Sequence, residues 1–164
     1  VLSAILLGIG LSSKANFLFL LPLIFSTLVQ NAGLRKAVGY IMLTGIAFAA
    51  VTMPFYLYDP GNFTPFYVQL ARFKYVNSAL FPFASISIIL IGITIASLLS
   101  FQRMNSDCIV LFRNCALLQA FLIVSCAILE TISHGTIEFS FLGYGLSFIF
   151  FGAVSLWAQL SKSV

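Results

Sequence analysis

The chain has 164 residues, of which 61% are hydrophobic, 18 are phenylalanine and only 7% are charged. Soluble domains carry roughly 25% charged residues, so the composition excludes an ordinary water-soluble globule and points to helices bathed in lipid. The net charge of +4 falls mostly in short connections without interleaved aromatics, which argues against base stacking on a nucleic acid and for lipid headgroups as its counterpart.

In chain order, Val1 to Leu11 is apolar and too short to span unaided, since a crossing helix needs about 20 residues. The sequence opens without methionine and in mid-hydrophobic run, which reads as a piece of a longer protein. Lys14 interrupts this opening run inside Leu11-Ser-Ser-Lys-Ala-Asn-Phe-Leu-Phe-Leu-Leu-Pro22. Ala15 to Gln30 is the next apolar segment, with Pro22 expected to bend it. Asn31 to Lys36 reads as a turn carrying two successive positive charges. Ala37 to Leu57 is a spanning segment, stopped by Tyr58-Asp-Pro-Gly-Asn62, where Pro60 and Gly61 favour a turn.

Phe63 to Ser78 mixes aromatics with Arg72, Lys74 and polar groups, a composition suited to an amphipathic element at the interface. Ala79 to Phe101 spans again, and Gln102 to Asn114 is a polar connection holding Arg103, Asp107 and Arg113. A further apolar segment runs from about Cys115, or from a few residues earlier, to Ile132, followed by a turn at His134 to Glu138. Phe139 to Leu160 is the last span, with Trp157 at aromatic-belt depth. The fold expected is therefore all-α: one polytopic transmembrane helical bundle over residues 1–164, with about five to six spans.

Alternation of these spans places Arg35, Lys36, Arg103, Arg113 and Lys162 on one side. Lys14, Asp59, Arg72, Lys74, Glu130, His134 and Glu138 fall on the other. Positive residues concentrate on the cytoplasmic side of membrane proteins, so the first group faces the cytoplasm. The protein is then an integral one of a plasma or inner membrane. The parity treats Val1–Leu11 and Ala15–Gln30 as two segments joined at Lys14; as one long helix they would hold Lys14 at membrane depth.

Lys14 is open to two readings. It is a boundary lysine whose stem packs on apolar surface while its amine reaches water, or it is a ligand for a lipid phosphate, since an ammonium is a compact point donor. Arg72 and Lys74 share its side and either add to that field or are solvated beside Phe73 and Tyr75. Asp59 reads as the stabiliser of its own turn. Glu130 and Glu138 stand four residues either side of His134, but Gly135 argues against the continuous helix that would align them, and no metal site is expected. No cofactor is expected either. Cys108, Cys115 and Cys126 form no CxxC pair and read as free thiols. No carboxylate sits in mid-span, which weakens a proton-coupled transporter or a channel. Gly45, Ala49, Gly92, Ala96, Gly143 and Gly152 are the small residues expected to let helices approach.

Two stretches carry a family resemblance. Leu7-Gly-Ile-Gly-Leu-Ser-Ser-Lys-Ala-Asn-Phe-Leu-Phe-Leu-Leu-Pro22 resembles the Gly-rich helix end, Lys and Leu-Pro of polytopic membrane glycosyltransferases of the GT-C type, which use polyprenyl-phosphate-linked sugars. Met53-Pro-Phe-Tyr-Leu-Tyr-Asp-Pro-Gly-Asn-Phe63 is similar to a segment that follows in such proteins. The resemblance covers less than half the chain. It implies a catalytic face on the non-cytoplasmic side and a lipid-phosphate contact for Lys14; Arg72 and Lys74 enter on electrostatic grounds only. The family's catalytic acid lies far upstream of such a lysine and has no counterpart here, so the catalytic residues stay unassigned. The resemblance implies the membrane portion of a lipid-linked-sugar glycosyltransferase, its C-terminal part. Cationic groups would stabilise the departing polyprenyl phosphate. The alternative is a structural or accessory subunit packing against other membrane subunits, and a secondary transporter comes third.

Overall fold

The computed structural model of the chain describes residues 1–61, 82–102, 109–135 and 142–163. These residues form six α-helices and one 3₁₀ segment, with no strand among them. In order they are α1 (Leu2–Ser13), the 3₁₀ segment (Ala15–Leu20), α2 (Leu21–Ala32), α3 (Leu34–Tyr58), α4 (Ala84–Ser100), α5 (Ile109–His134) and α6 (Leu142–Ser163).

The opening run is broken, as the two-segment reading expects. The Ser12 and Ser13 hydroxyls donate to the carbonyls of Ile9 and Gly10, offering the last turn of α1 an alternative to continued helix. Lys14 then takes an extended backbone, φ −142° and ψ 103°. Pro22 stands where the 3₁₀ segment passes into α-helix. It falls at the start of α2, where its missing N–H has no helical partner to lose. Gly33, with φ 86°, separates α2 from α3 in a conformation that residues with a Cβ avoid.

Two boundaries differ from the sequence reading. The turn expected over Asn31–Lys36 contracts to Gly33, and Arg35 and Lys36 lie exposed in the first turn of α3. The polar connection expected up to Asn114 is shorter, because α5 begins at Ile109 and takes Arg113 and Asn114 into the helix. Arginine and lysine are good helix formers, so these charges enter the helices without ending them. α5 itself ends at His134, and Gly135 takes φ 69°; Glu138 lies outside the described residues.

The helices pack as two groups sharing α2. α1 and α2 lie against α3, α2 also meets α4 and α5, and α6 lies along α5. α5 and α6 are antiparallel. Ser147 reaches Gln119 and Ser155 reaches the carbonyl of Ile109, while the Phe112 and Phe151 rings stand 6.0 Å apart. Leu20, Leu23, Ala84, Ile88, Ala96, Cys115, Leu118, Leu122 and Cys126 form the core. Leu34–Tyr58 and Ile109–Ser133 are each long and apolar enough to cross a membrane; α1, α2 and α4 are shorter.

Polarity is distributed inside out. Asn114 and Gln119 are among the most deeply buried side chains, while Leu6, Met42, Ile46, Leu90, Leu98 and Leu156 are exposed. Of the small residues expected to admit neighbours, Gly92 does so: a Cβ there would stand 2.9 Å from Leu122 Cδ2 and 3.3 Å from Phe19 Cε1. Ala96 is buried, whereas Gly45 and Gly152 face open space. The tightest approach is Gly8 on α1, whose Cβ would meet the Thr44 carbonyl oxygen at 2.5 Å and Ala47 Cβ at 2.7 Å. Gly8→Leu should therefore separate α1 from α3 and cost about 1–3 kcal/mol, whereas Gly39→Leu, with nothing within 4 Å, should not. Thermal unfolding of the two variants in the same detergent checks this.

Candidate functional site

The break at Lys14 leads directly into a buried polar contact. Asn16, in the 3₁₀ segment, donates from Nδ2 to Gln119 Oε1 at 2.7 Å. Gln119 Nε2 in turn donates to the Asn16 backbone carbonyl at 3.1 Å, and Ser147 Oγ donates to Gln119 Oε1 at 3.3 Å. One fully buried amide on α5 thus ties the 3₁₀ segment and α6 together. Gln119 lies in the middle third of α5, so this contact lies inside the bundle and not at an end of it. Lys14, two residues before Asn16, is half-buried. Asn16 Oδ1 is buried without a hydrogen-bond partner.

A second polar group marks one end of the bundle. Ser26 Oγ donates to the Ser100 carbonyl, Gln30 Nε2 to the Gln102 carbonyl at 3.3 Å, and Asn114 Nδ2 to Gln102 Oε1 at 3.1 Å. These bonds align the C-terminal ends of α2 and α4 with the N-terminal end of α5. Arg35 and Lys36 follow α2 directly, and Arg113 precedes Asn114, so three of the five cations assigned to one side share this end. The antiparallel pairing of α5 and α6 brings the C-terminal end of α6, with Lys162, to it as well. Arg103 lies outside the described residues. Asp59 closes the far end of α3, its N–H donating to the Phe55 carbonyl.

The site expected from the sequence is thus described at one of its three residues. Lys14 stands at the helix break; Arg72 and Lys74 lie outside the described residues. Glu130 is buried near the end of α5. Cys115 and Cys126 are buried free thiols. Among the described residues no three His, Cys, Asp or Glu side chains are grouped in a way that could hold a metal ion. The chemistry on offer is one cation at a broken helix, with neutral amides and a hydroxyl behind it.

Sequence reading passed over Asn16, Gln119, Ser147, Gln102 and Asn114. The available signal was an uncharged amide inside an apolar run, as in Leu117-Leu118-Gln119-Ala120-Phe121, which averages out of a hydropathy sum. Comparison of the chain with protein-family models, curated proteins and solved structures gave no match.

Gln119→Leu removes a donor and an acceptor at once and leaves Asn16 buried without them. The expected loss is about 1–2 kcal/mol, the worth of a buried amide's two bonds to Asn16. A double-mutant cycle of Gln119→Leu with Asn16→Ala should show strong coupling, because both changes delete the same pair. Additive losses in detergent unfolding would contradict this arrangement.

Proposed function

We propose that the chain is an integral membrane helical bundle that holds an anionic lipid phosphate at Lys14, as the membrane portion of a lipid-linked-sugar glycosyltransferase. The membrane placement is supported by the exposed apolar side chains, the buried amides and the two helices of crossing length. The observation that carries the phosphate reading is the helix break at Lys14. Broken helices inside a membrane occur where backbone lines a cavity or a ligand, because hydrocarbon offers the freed groups no partner. A cation beside such a break is suited to an anionic headgroup, and Arg72 and Lys74 are proposed to reinforce it. The transferase assignment itself rests on the resemblance of Leu7–Pro22 and Met53–Phe63, and the catalytic base would come from outside this chain.

In that reaction the acceptor oxygen attacks the anomeric carbon while a carboxylate takes its proton. Lys14 would stabilise the phosphate as its charge develops on departure. A packing subunit is the second reading, favoured by α3, of whose most apolar window only 6% is buried. That exposed face would then meet another membrane chain.

Lys14→Ala should weaken binding of a polyprenyl phosphate to the detergent-purified chain by about tenfold or more, the worth of a charge-assisted hydrogen bond. Binding of the uncharged polyprenol and the unfolding temperature should stay in place. Equal loss for both ligands, or none for either, would defeat the phosphate reading. Topology is tested separately: single cysteines introduced at Lys36 and Gly61 should react with impermeant thiol reagents from opposite sides of a sealed vesicle.

A further inference from the structure

A groove of about 500 Å³ runs between the first half of α4 and the second half of α5, lined by Pro82, Phe83, Ser87, Ile91, Phe121, Ser125, Ile128 and Leu129 among others. Its size falls in the range of small-ligand sites. It lies at the opposite end of α4 from Gln102, away from the Arg35 and Lys36 end. The lining is apolar apart from hydroxyls, and Ser87 and Ser125 are unusual among their neighbours. Thr94, Ser97, Ser100, Thr131 and Ser133, on the same two helices, each donate to the carbonyl four residues back, the usual way a hydroxyl is satisfied within a helix. The hydroxyls of Ser87 and Ser125 make no hydrogen bond among the described residues, although the Ser87 backbone N–H donates to the Phe83 carbonyl. Both hydroxyls are on the groove wall, Ser87 exposed and Ser125 half-exposed.

A hydroxyl facing hydrocarbon without an acceptor is costly, and two hydroxyls are the fewest partners that hold an ordered water. We infer that this groove is a binding site for an ester-linked diacyl membrane lipid, whose ester carbonyls accept from Ser87 and Ser125 while an acyl chain lies along Ile91, Phe121 and Ile128. Ser87 is in the first turn of α4, where that 17-residue helix, about 25 Å long, approaches the edge of a hydrocarbon layer about 30 Å thick. Ester groups sit at that edge. A polyprenyl chain has no carbonyl to offer, so the site is distinct from the phosphate contact proposed at Lys14. It depends on the membrane placement and not on that contact.

The linkage can be tested with the headgroup held constant. The full chain is reconstituted in vesicles of equal diester and diether phosphatidylcholine, extracted mildly, and its retained lipids counted by native mass spectrometry. The diester form should be enriched about three- to tenfold over the diether form, the worth of one or two net hydrogen bonds. The Ser87→Ala, Ser125→Ala double variant should retain lipid at the bulk ratio. Because these hydroxyls bond nothing among the described residues, their removal leaves the fold intact, which an unchanged unfolding temperature verifies. Ile91→Trp, which fills the groove, should lower the amount of retained lipid of both kinds. A bulk ratio in the unaltered chain, a preference that survives the double variant, or a chain that retains no lipid would each overturn the assignment. The common headgroup keeps the result independent of Lys14.

Discussion

A broken helix inside an apolar bundle must find partners for the backbone groups that the break releases, and here Gln119 supplies the decisive one. Its Nε2 donates to the carbonyl of Asn16, a group in the 3₁₀ segment just past the extended residue. Its Oε1 accepts from the Asn16 side chain, from a position 103 residues distant in sequence. The two bonds are reciprocal, so neither amide can turn without stranding the other. Ser147 adds a third leg from α6. This one buried side chain thus ties the residues after the interruption at Lys14 to α5 and adds to the contacts that seat α6 there.

Apolar packing alone would hold such an assembly poorly in lipid, because acyl chains contact leucine as well as another helix does. The chain compensates with close approach and with interhelical polar bonds. Gly8 brings α1 onto the backbone of α3, and Gly92 admits Leu122 and Phe19. At the basic end, Ser26, Gln30 and Asn114 converge on the Ser100–Gln102 turn. Glycine contacts therefore set how near the helices lie, and the amides set which parts of them lie opposite one another.

That division explains what could be read from the sequence. Helix existence followed from apolar runs, and Gly33, Asp59 and Gly135 ended helices where local chemistry said they would. The starts of α3 and α5 were misplaced because Arg35, Lys36 and Arg113 were treated as connection, although their side chains suit a helix. Pro22 drew notice as a local signal, and it stands at the junction of the 3₁₀ segment with α2. Lys14 stood out because a charge in an apolar run is visible locally. Gln119 did not, because its meaning lies in Asn16, and sequence proximity carries no trace of that pair. Gly8 was equally silent: its role depends on the Thr44 carbonyl, which only tertiary structure brings near.

The break also separates the two functional readings on physical grounds. A subunit that serves only to pack gains from an uninterrupted apolar helix, whose backbone is satisfied internally and whose surface is uniform. Interrupting α1 with a lysine gives up helical hydrogen bonds and introduces an ammonium beside a buried amide cluster. The Gln119 clamp offsets the first cost. The anion proposed at Lys14 and a neighbouring helix laid on the exposed face of α3 would meet different parts of the chain. The exposed α3 face and the Lys14 break are therefore independent features, and a packing partner on the one is compatible with a phosphate at the other.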